Sequence, residues 1–429
     1  MKNSGVEWIG EIPEDWKVSK TKYLTKLYTG NSIKDEEKDL YEDKADAIPY
    51  ISSKDINAIF STTNYENGMY VKHSDNSFVR APAGSTLMCI EGGSAGKKKT
   101  FLNQEVCFVN KLCCFSPIKI DNKFLFYCLN SPNYEEEFRF NIAGMIGGVS
   151  VGKLNQFILP KPPKSTQQRI ATYLDKKCSK IEETIQNPQQ VIEKLKAYKQ
   201  SLITEAVTGK IKIENGRACG EYESYKDSGV EWIGKIPSEW DTIRIKWLLN
   251  ERKERSEEGK EEPLSMSQKY GLIPTKEMET IPNMASTFVG AKLTYKDDIV
   301  FNKLKAHLGV FSVSKYDGLV SPDYAVHTST GKADLKYLEY LFKTPQCISE
   351  YKKRSTGVGE GLTRLYTGEL FSIYIPFPEK KTQKNIANFL VSISTAIDTA
   401  IEQKQKLIEK LTEYKKSLIY ECVTGKKEI

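Results

Sequence analysis

Two long stretches of this chain carry the same hydrophobic stripe. In the second, positions alternate four and three apart through Leu390, Ser394, Ile397, Ile401, Lys404, Ile408, Leu411, Lys415 and Leu418, on a background rich in lysine and glutamate. That period predicts a long amphipathic helix with a coiled-coil-like seam over 379–429. A constant offset (397 − 181 = 216) returns Leu174, Cys178, Ile181, Ile185, Pro188, Ile192, Leu195, Lys199 and Leu202, which predicts a matching helix over 164–210. A helix of roughly 40 residues is about 60 Å long at ~1.5 Å per residue, and alone it leaves its stripe wet. Packing the two copies antiparallel buries both. The expected seam is Leu174, Ile181, Ile185, Ile192, Leu195 and Leu202 against Leu390, Ile397, Ile401, Ile408, Leu411 and Leu418. Pro188 stands in the seam where the second copy has Lys404. It lacks a backbone donor and disfavours helix at Asn187, so a kink or break is expected there, either absorbed by the flanking turns or used as a hinge.

Elsewhere the apolar runs are short: 106–109, 123–129, 298–301 and 373–377, set among Gly, Pro, Asn and Ser turns. That pattern predicts a mixed α+β fold. A second repeat is interleaved with the helical one, because SGVEWIGEIPEDW at Ser4–Trp16 returns as SGVEWIGKIPSEW at Ser228–Trp240. The order is short motif, long segment, helix, then all three again. The chain therefore divides into 1–163, a spacer helix 164–210, a polar linker 211–227, a second segment 228–378 and a second spacer helix 379–429. The expected architecture is two α/β domains separated by two long antiparallel helices, with a pseudo-twofold internal repeat. Such a repeat implies two equivalent surfaces and the holding of two similar things at once. The segments 17–163 and 241–378 do not resemble each other, which suggests two inserts that read two different targets.

Composition narrows this further. Hydrophobic residues at 39% and charged residues at 28% are ordinary for a globular protein, and no apolar run reaches membrane-spanning length. Met1-Lys2-Asn3-Ser4 lacks the apolar core of a signal peptide, so a cytoplasmic location is expected. The nine scattered cysteines, with no CxxC pair, are expected to be reduced and mostly buried. His73, His307 and His327 lie at no metal-ligand spacing, and no metal site is expected. A net charge of +7 permits a polyanionic partner without demanding one.

The basic, glycine-broken loops carry the candidate chemistry. Gly84–Thr100 is a strand-like run followed by a loop holding Ser94, Lys97, Lys98 and Lys99, where backbone amides and ammonium groups could approach phosphates. A solvated hairpin tip is the alternative. Gly147–Lys153 has the GxxxxGK spacing but continues with Leu154 in place of Ser or Thr, so Lys153 is read as a lysine on a turn and not as part of a nucleotide site. In the second insert Lys303, Lys305 and His307 alternate and would share one side if extended. Arg354 and Arg364 flank another basic glycine loop, and with Asn302 they have the donor geometry for base edges. No adenine-methyltransferase tetrapeptide, nucleophile elbow, HExxH helix or helicase P-loop is present. A stand-alone nuclease and a scaffold that binds only proteins remain as alternatives.

The repeated SGVEWIGxIPxxW, the helices ending in Val-Thr-Gly-Lys, and the Pro-rich entries ahead of Thr166-Gln-Gln-Arg-Ile170 and Thr382-Gln-Lys-Asn-Ile386 resemble the specificity subunit of type I restriction-modification systems. Phe301–Gly309 with Asp317–Asp323 is similar to a recurring pattern of that family's target-recognition domains. The resemblance implies that each variable segment reads one half of a split, asymmetric DNA target. It also implies that the paired helices fix the gap and dock two modification subunits, which bind S-adenosylmethionine and methylate adenine. Two restriction subunits, which use ATP and magnesium, join that core. The chain itself would hold no cofactor and catalyse nothing. A proline inside the first spacer helix departs from the family's pattern and puts the ruler geometry in doubt.

Overall fold

The computed structural model describes residues 1–143, 147–267, 270–280, 287–357 and 363–429. They form two compact units, residues 1–190 with 404–429 and residues 191–403. Among the described residues the α-helices are α1 (Asn122–Leu129), α2 (Pro132–Phe140), α3 (Val151–Leu154), α4 (Lys164–Val207), α5 (Leu335–Phe342), α6 (Pro345–Arg354), α7 (Thr367–Ser372) and α8 (Lys380–Val423).

In the first unit the opening half of α4 packs with the closing half of α8. Leu174, Ile181 and Ile185 share one core with Leu418, Ile419 and Val423, while Ile408 and Leu411 are partly buried against it. A four-stranded antiparallel sheet runs in the order Lys99–Phe101, Thr86–Cys89, Leu112–Pro117, Thr25–Thr29. A second sheet, ordered Tyr70–Lys72, Ala47–Ile51, Val106–Phe108, Arg80–Ala81, contains one parallel pair. Helix α1 begins at Asp121, whose carboxylate accepts from the amides of Lys123 and Phe124, and its Phe124, Leu125 and Leu129 are fully buried.

The second unit uses the closing half of α4 and the opening half of α8. Its four-stranded antiparallel sheet has the equivalent order, Phe311–Val313, Ile299–Asn302, Tyr324–Ser329, Leu249–Glu251. The second sheet recurs in reduced form, as the ribbons Leu264–Ser267 with Gly271–Pro274 and Lys292–Thr294 with Gly318–Val320, joined by a parallel bridge between Pro263 and Leu319.

The repeated motifs build the same joints in both units. Gln167, buried at the start of α4, accepts from the Asp121 amide at 2.7 Å and donates to the Pro162 carbonyl at 2.8 Å. Gln383 does the same at α8 with Asp334 and Pro378, both at 2.8 Å. At the helix ends Gly209 and Gly425 adopt φ of +77° and +74°. A Cβ on Gly209 would lie 2.4 Å from Pro237 Cδ, and one on Gly425 would lie 2.5 Å from Pro13 Cδ. Glycine is thus required twice, against the Pro and Trp of each SGVEWIG motif. Ion pairs repeat too: Glu182 with Lys415 at 2.5 Å in one unit, Asp398 with Lys199 at 2.7 Å in the other. These exchange under the same offset (398 − 182 = 216 and 415 − 199 = 216).

The expected break at Pro188 does not occur, since α4 is helical on both sides of it. The lost donor costs about 3 kcal/mol, and the burial of Ile185 at 1% and Ile192 at 2% exposure on either flank outweighs it. The seam is not uniformly dry. Leu202, Leu390 and Ile397 are buried, whereas Leu195 and Ile401 are only half-buried.

Candidate nucleic-acid interface

Both basic loops occupy one place in the repeated sheet. In the first unit residues 90–98 connect the strands Thr86–Cys89 and Lys99–Phe101, and in the second residues 303–310 connect Ile299–Asn302 and Phe311–Val313. The mouth of each hairpin closes in the same way: Cys89 N–H donates to Lys98 O at 2.9 Å, and Asn302 N–H donates to Val310 O at 3.2 Å. One residue further on the match continues. Ile90 donates to Lys111 O and accepts from Val149, while Lys303 donates to Asp323 O and accepts from Leu365.

The side chains on this shared frame differ. In the first loop Lys97 is exposed, Ser94 is half-buried, and Lys98 donates to Ser53 O at 2.7 Å. Lys99, expected among the phosphate-facing residues, is instead buried at 1% exposure, the first residue of a strand that points it inward. Its Nζ meets Glu135 Oε1 of α2 at 2.7 Å, and Glu135 Oε2 meets Lys416 of α8 at 3.1 Å. Burial pulls the Lys99 pKa down, and Glu135 opposes that shift. Lys99 therefore ties the loop to the helices and offers no charge to solvent. Lys153 is exposed on α3, whose cap is the Ser150 hydroxyl.

In the second loop the chain does not stay extended. Asn302 Oδ1 accepts from the amides of Leu304 and Lys305 at 3.0 and 3.2 Å, and a 3-10 turn follows at Ala306–Leu308. The alternation of Lys303, Lys305 and His307 is therefore lost: Lys305 is exposed, while Lys303 and His307 are half-buried. Arg364 is brought beside Lys303, because Leu365 pairs with the Lys303 carbonyl, and its Nη2 meets Asp323 Oδ1 at 2.5 Å. Lys292 lies behind, donating to Tyr324 O at 2.7 Å, with its pKa lowered first by burial and then by Lys303. Arg354 is placed otherwise. Its guanidinium holds Ser372 Oγ at 3.1 Å and Glu350 at 3.4 Å, joining α6 to α7.

Sequence reasoning passed over Asp323, Lys111 and Glu135. Asp323 lay inside a segment already marked by resemblance; Lys111 and Glu135 carried no local signal, since their partners are distant in sequence. Eight of the nine cysteines are buried, and none is in a disulfide. Among the described residues no cluster of His, Cys, Asp or Glu suits a metal ion, and no helix is long and apolar enough to cross a membrane.

Comparison with known proteins matches this doubled frame. The family described as type I restriction modification DNA specificity domain matches twice, over residues 13–194 and 237–411. Each match begins at the repeat motif and ends within a long helix. A putative type I restriction enzyme MjaX specificity subunit of Methanocaldococcus jannaschii is 25% identical, covering 97% of this chain and 95% of its own length. The EcoKI specificity subunit of Escherichia coli is 20% identical, covering 97% and 90%. A solved structure described as the basis of complex assembly and conformational transition of the type I R-M system shares the fold, with a TM-score of 0.63 at 11% identity over 97% of this chain and 100% of its own. The chain belongs to the type I restriction-modification DNA specificity family, and it is a specificity subunit.

Proposed function

We propose that this chain reads a bipartite, asymmetric double-stranded DNA target, one half through each unit's loop, and docks two adenine-methylating modification subunits on its repeated frame. Through them it recruits two restriction subunits in the cytoplasm of a prokaryotic host. It catalyses nothing itself. S-adenosylmethionine belongs to the modification subunits, and ATP and magnesium to the restriction subunits. The observation that carries the reading is a single sheet-and-helix frame present twice with unlike side chains at the same hairpin. A shared frame suits two copies of one partner, and unlike loops suit two different half-sites.

The repeated frame also offers matched contacts outside the loops. Tyr23 and Trp247 are equivalent (247 − 23 = 224), 60% and 55% exposed, each with a neighbouring lysine over its ring. Exposed aromatics of this kind are frequent anchors at protein interfaces.

The test is reconstitution. Mixed with a modification subunit and a methyl donor, the chain restores adenine methylation at one split sequence, and exchanging residues 17–163 for another recognition segment changes only one half. Methylation or cleavage by the purified chain alone, or a change in both halves, would falsify the reading.

A further inference from the structure

The junction beside Lys303 carries more than general attraction for phosphate. Backbone pairing holds three strands together there, and the same pairing recurs in the first unit, so positions 303, 323 and 364 correspond to 90, 111 and 148. In the first unit those positions are Ile90, Lys111 and Gly148; in the second they are Lys303, Asp323 and Arg364. A Cβ on Gly148 would lie 2.8 Å from the Ile90 carbonyl, so the first unit leaves no room for a side chain where the second places an arginine.

Arg364 is not paired as a plain surface cation. Its Nη2 is anchored on Asp323, its Nε is buried without a partner among the described residues, and its side chain keeps 25% exposure. The anchor orients the planar guanidinium without neutralising every donor. Asp323 also borders a cleft of about 450 Å³ walled by Leu264, Phe288, Leu304 and Pro322, with Asn302 beside it. Arg364 is tied to the rim of that cleft through Asp323, and an arginine fork matches guanine O6 and N7.

We infer that Arg364, oriented by Asp323 at the Lys303 junction, reads a guanine in the half-site of the second unit. Arg364 touches the base; Asp323 is a positioning residue. The inference rests on the specificity-subunit reading.

The experiment uses the full chain with its modification subunit, mapping methylated sites on unmodified genomic DNA. Arg364→Ala is expected to relax one G·C position in one half, lowering discrimination roughly 10- to 100-fold, with the other half and the gap unchanged. Arg364→Lys keeps the charge but not the fork and relaxes the same position. Asp323→Asn relaxes it more weakly, and the double variant is no worse than Arg364→Ala, as coupled residues require. The unaltered half serves as an internal control for folding. An unchanged target in Arg364→Ala, relaxation in both halves, or loss of methylation in Arg364→Ala with full specificity kept in Arg364→Lys overturns the inference. If the unsubstituted chain restores no methylation at a split target, the underlying reading falls and this inference falls with it. If it does and the variants keep that target, this inference alone falls.

Discussion

The two units solve one packing problem by opposite chemistry. Strand register pairs Lys99 of the first with Phe311 of the second, and Phe115 with His327. The first unit fills its hairpin interior with an ion pair, Lys99 to Glu135, shared with Lys416. The second fills it with stacked rings: Phe301 lies 5.0 Å from Phe311 and 5.4 Å from His327, and Tyr351 lies 5.0 Å from Phe311. Meanwhile the glutamine latches, the glycine joints and the helix ion pairs are nearly superimposable in kind. The frame is thus held by specific hydrogen bonds and close approaches, whereas the interior of each head is free to change if it stays filled and satisfied.

The sharpest way to break this comparison is to cut the ionic interior at one partner. Glu135→Ala leaves the Lys99 amine buried without its carboxylate, and a loss of about 3–5 kcal/mol is expected in denaturant unfolding. Lys99→Met removes the charge with its need for a partner and is expected to cost far less. Equal losses in the two variants would show that the ion pair is not what fills the site.

Next in size are the twin joints. Gly209→Ala and Gly425→Ala each force a side chain into positive φ against a proline and a tryptophan, for a loss of about 2–4 kcal/mol each in thermal unfolding. The expected result is equality between them. A joint that tolerates alanine in one unit alone would end the claim that the two are equivalent.

Acid separates the heads. Burial pushes the His327 pKa down to about 3 from an ordinary value of 6.5. The folded unit therefore keeps this ring neutral, and that contribution is complete above pH 6.5 and declines as pH falls toward 3. At pH 5 the loss is about 2 kcal/mol, and His327→Phe, the residue type found at 115, is expected to remove it. Unfolding followed between pH 7 and 5 checks this; a slope unchanged by the substitution would contradict it.

The smallest effects lie on the loops. Lys97→Ala and Lys305→Ala are expected to weaken DNA binding uniformly across sequences, each lowering the salt slope of binding by about 1. A change in the preferred sequence would instead make these lysines readers.

Much of the frame was legible from the chain because its signals are local: a heptad stripe, a Gly after Val-Thr, a Gln after Thr at the start of each long helix. The interface was legible only in outline. The run Lys97-Lys98-Lys99 looks uniform, yet the strand begins at its last member and turns that ammonium inward, toward a glutamate 36 residues away. Arg354 and Arg364 look alike in sequence, but one is held by Ser372 and Glu350 within α6 and α7 while the other is braced by Asp323. Pro188 looks like a breaker, and burial on both flanks overrules it. In each case a long-range partner decides, and residue type alone does not name it.

The identical joints bear on inheritance. Each variable segment lies between an SGVEWIG motif and a glutamine-latched helix, so the same protein seating recurs at both boundaries of each head. An exchange between two such genes at those points delivers a foreign head onto unaltered seating. A pool of n first heads and n second heads then yields on the order of n × n distinct chains, and a lineage can acquire a new target by recombination without waiting for mutations to accumulate.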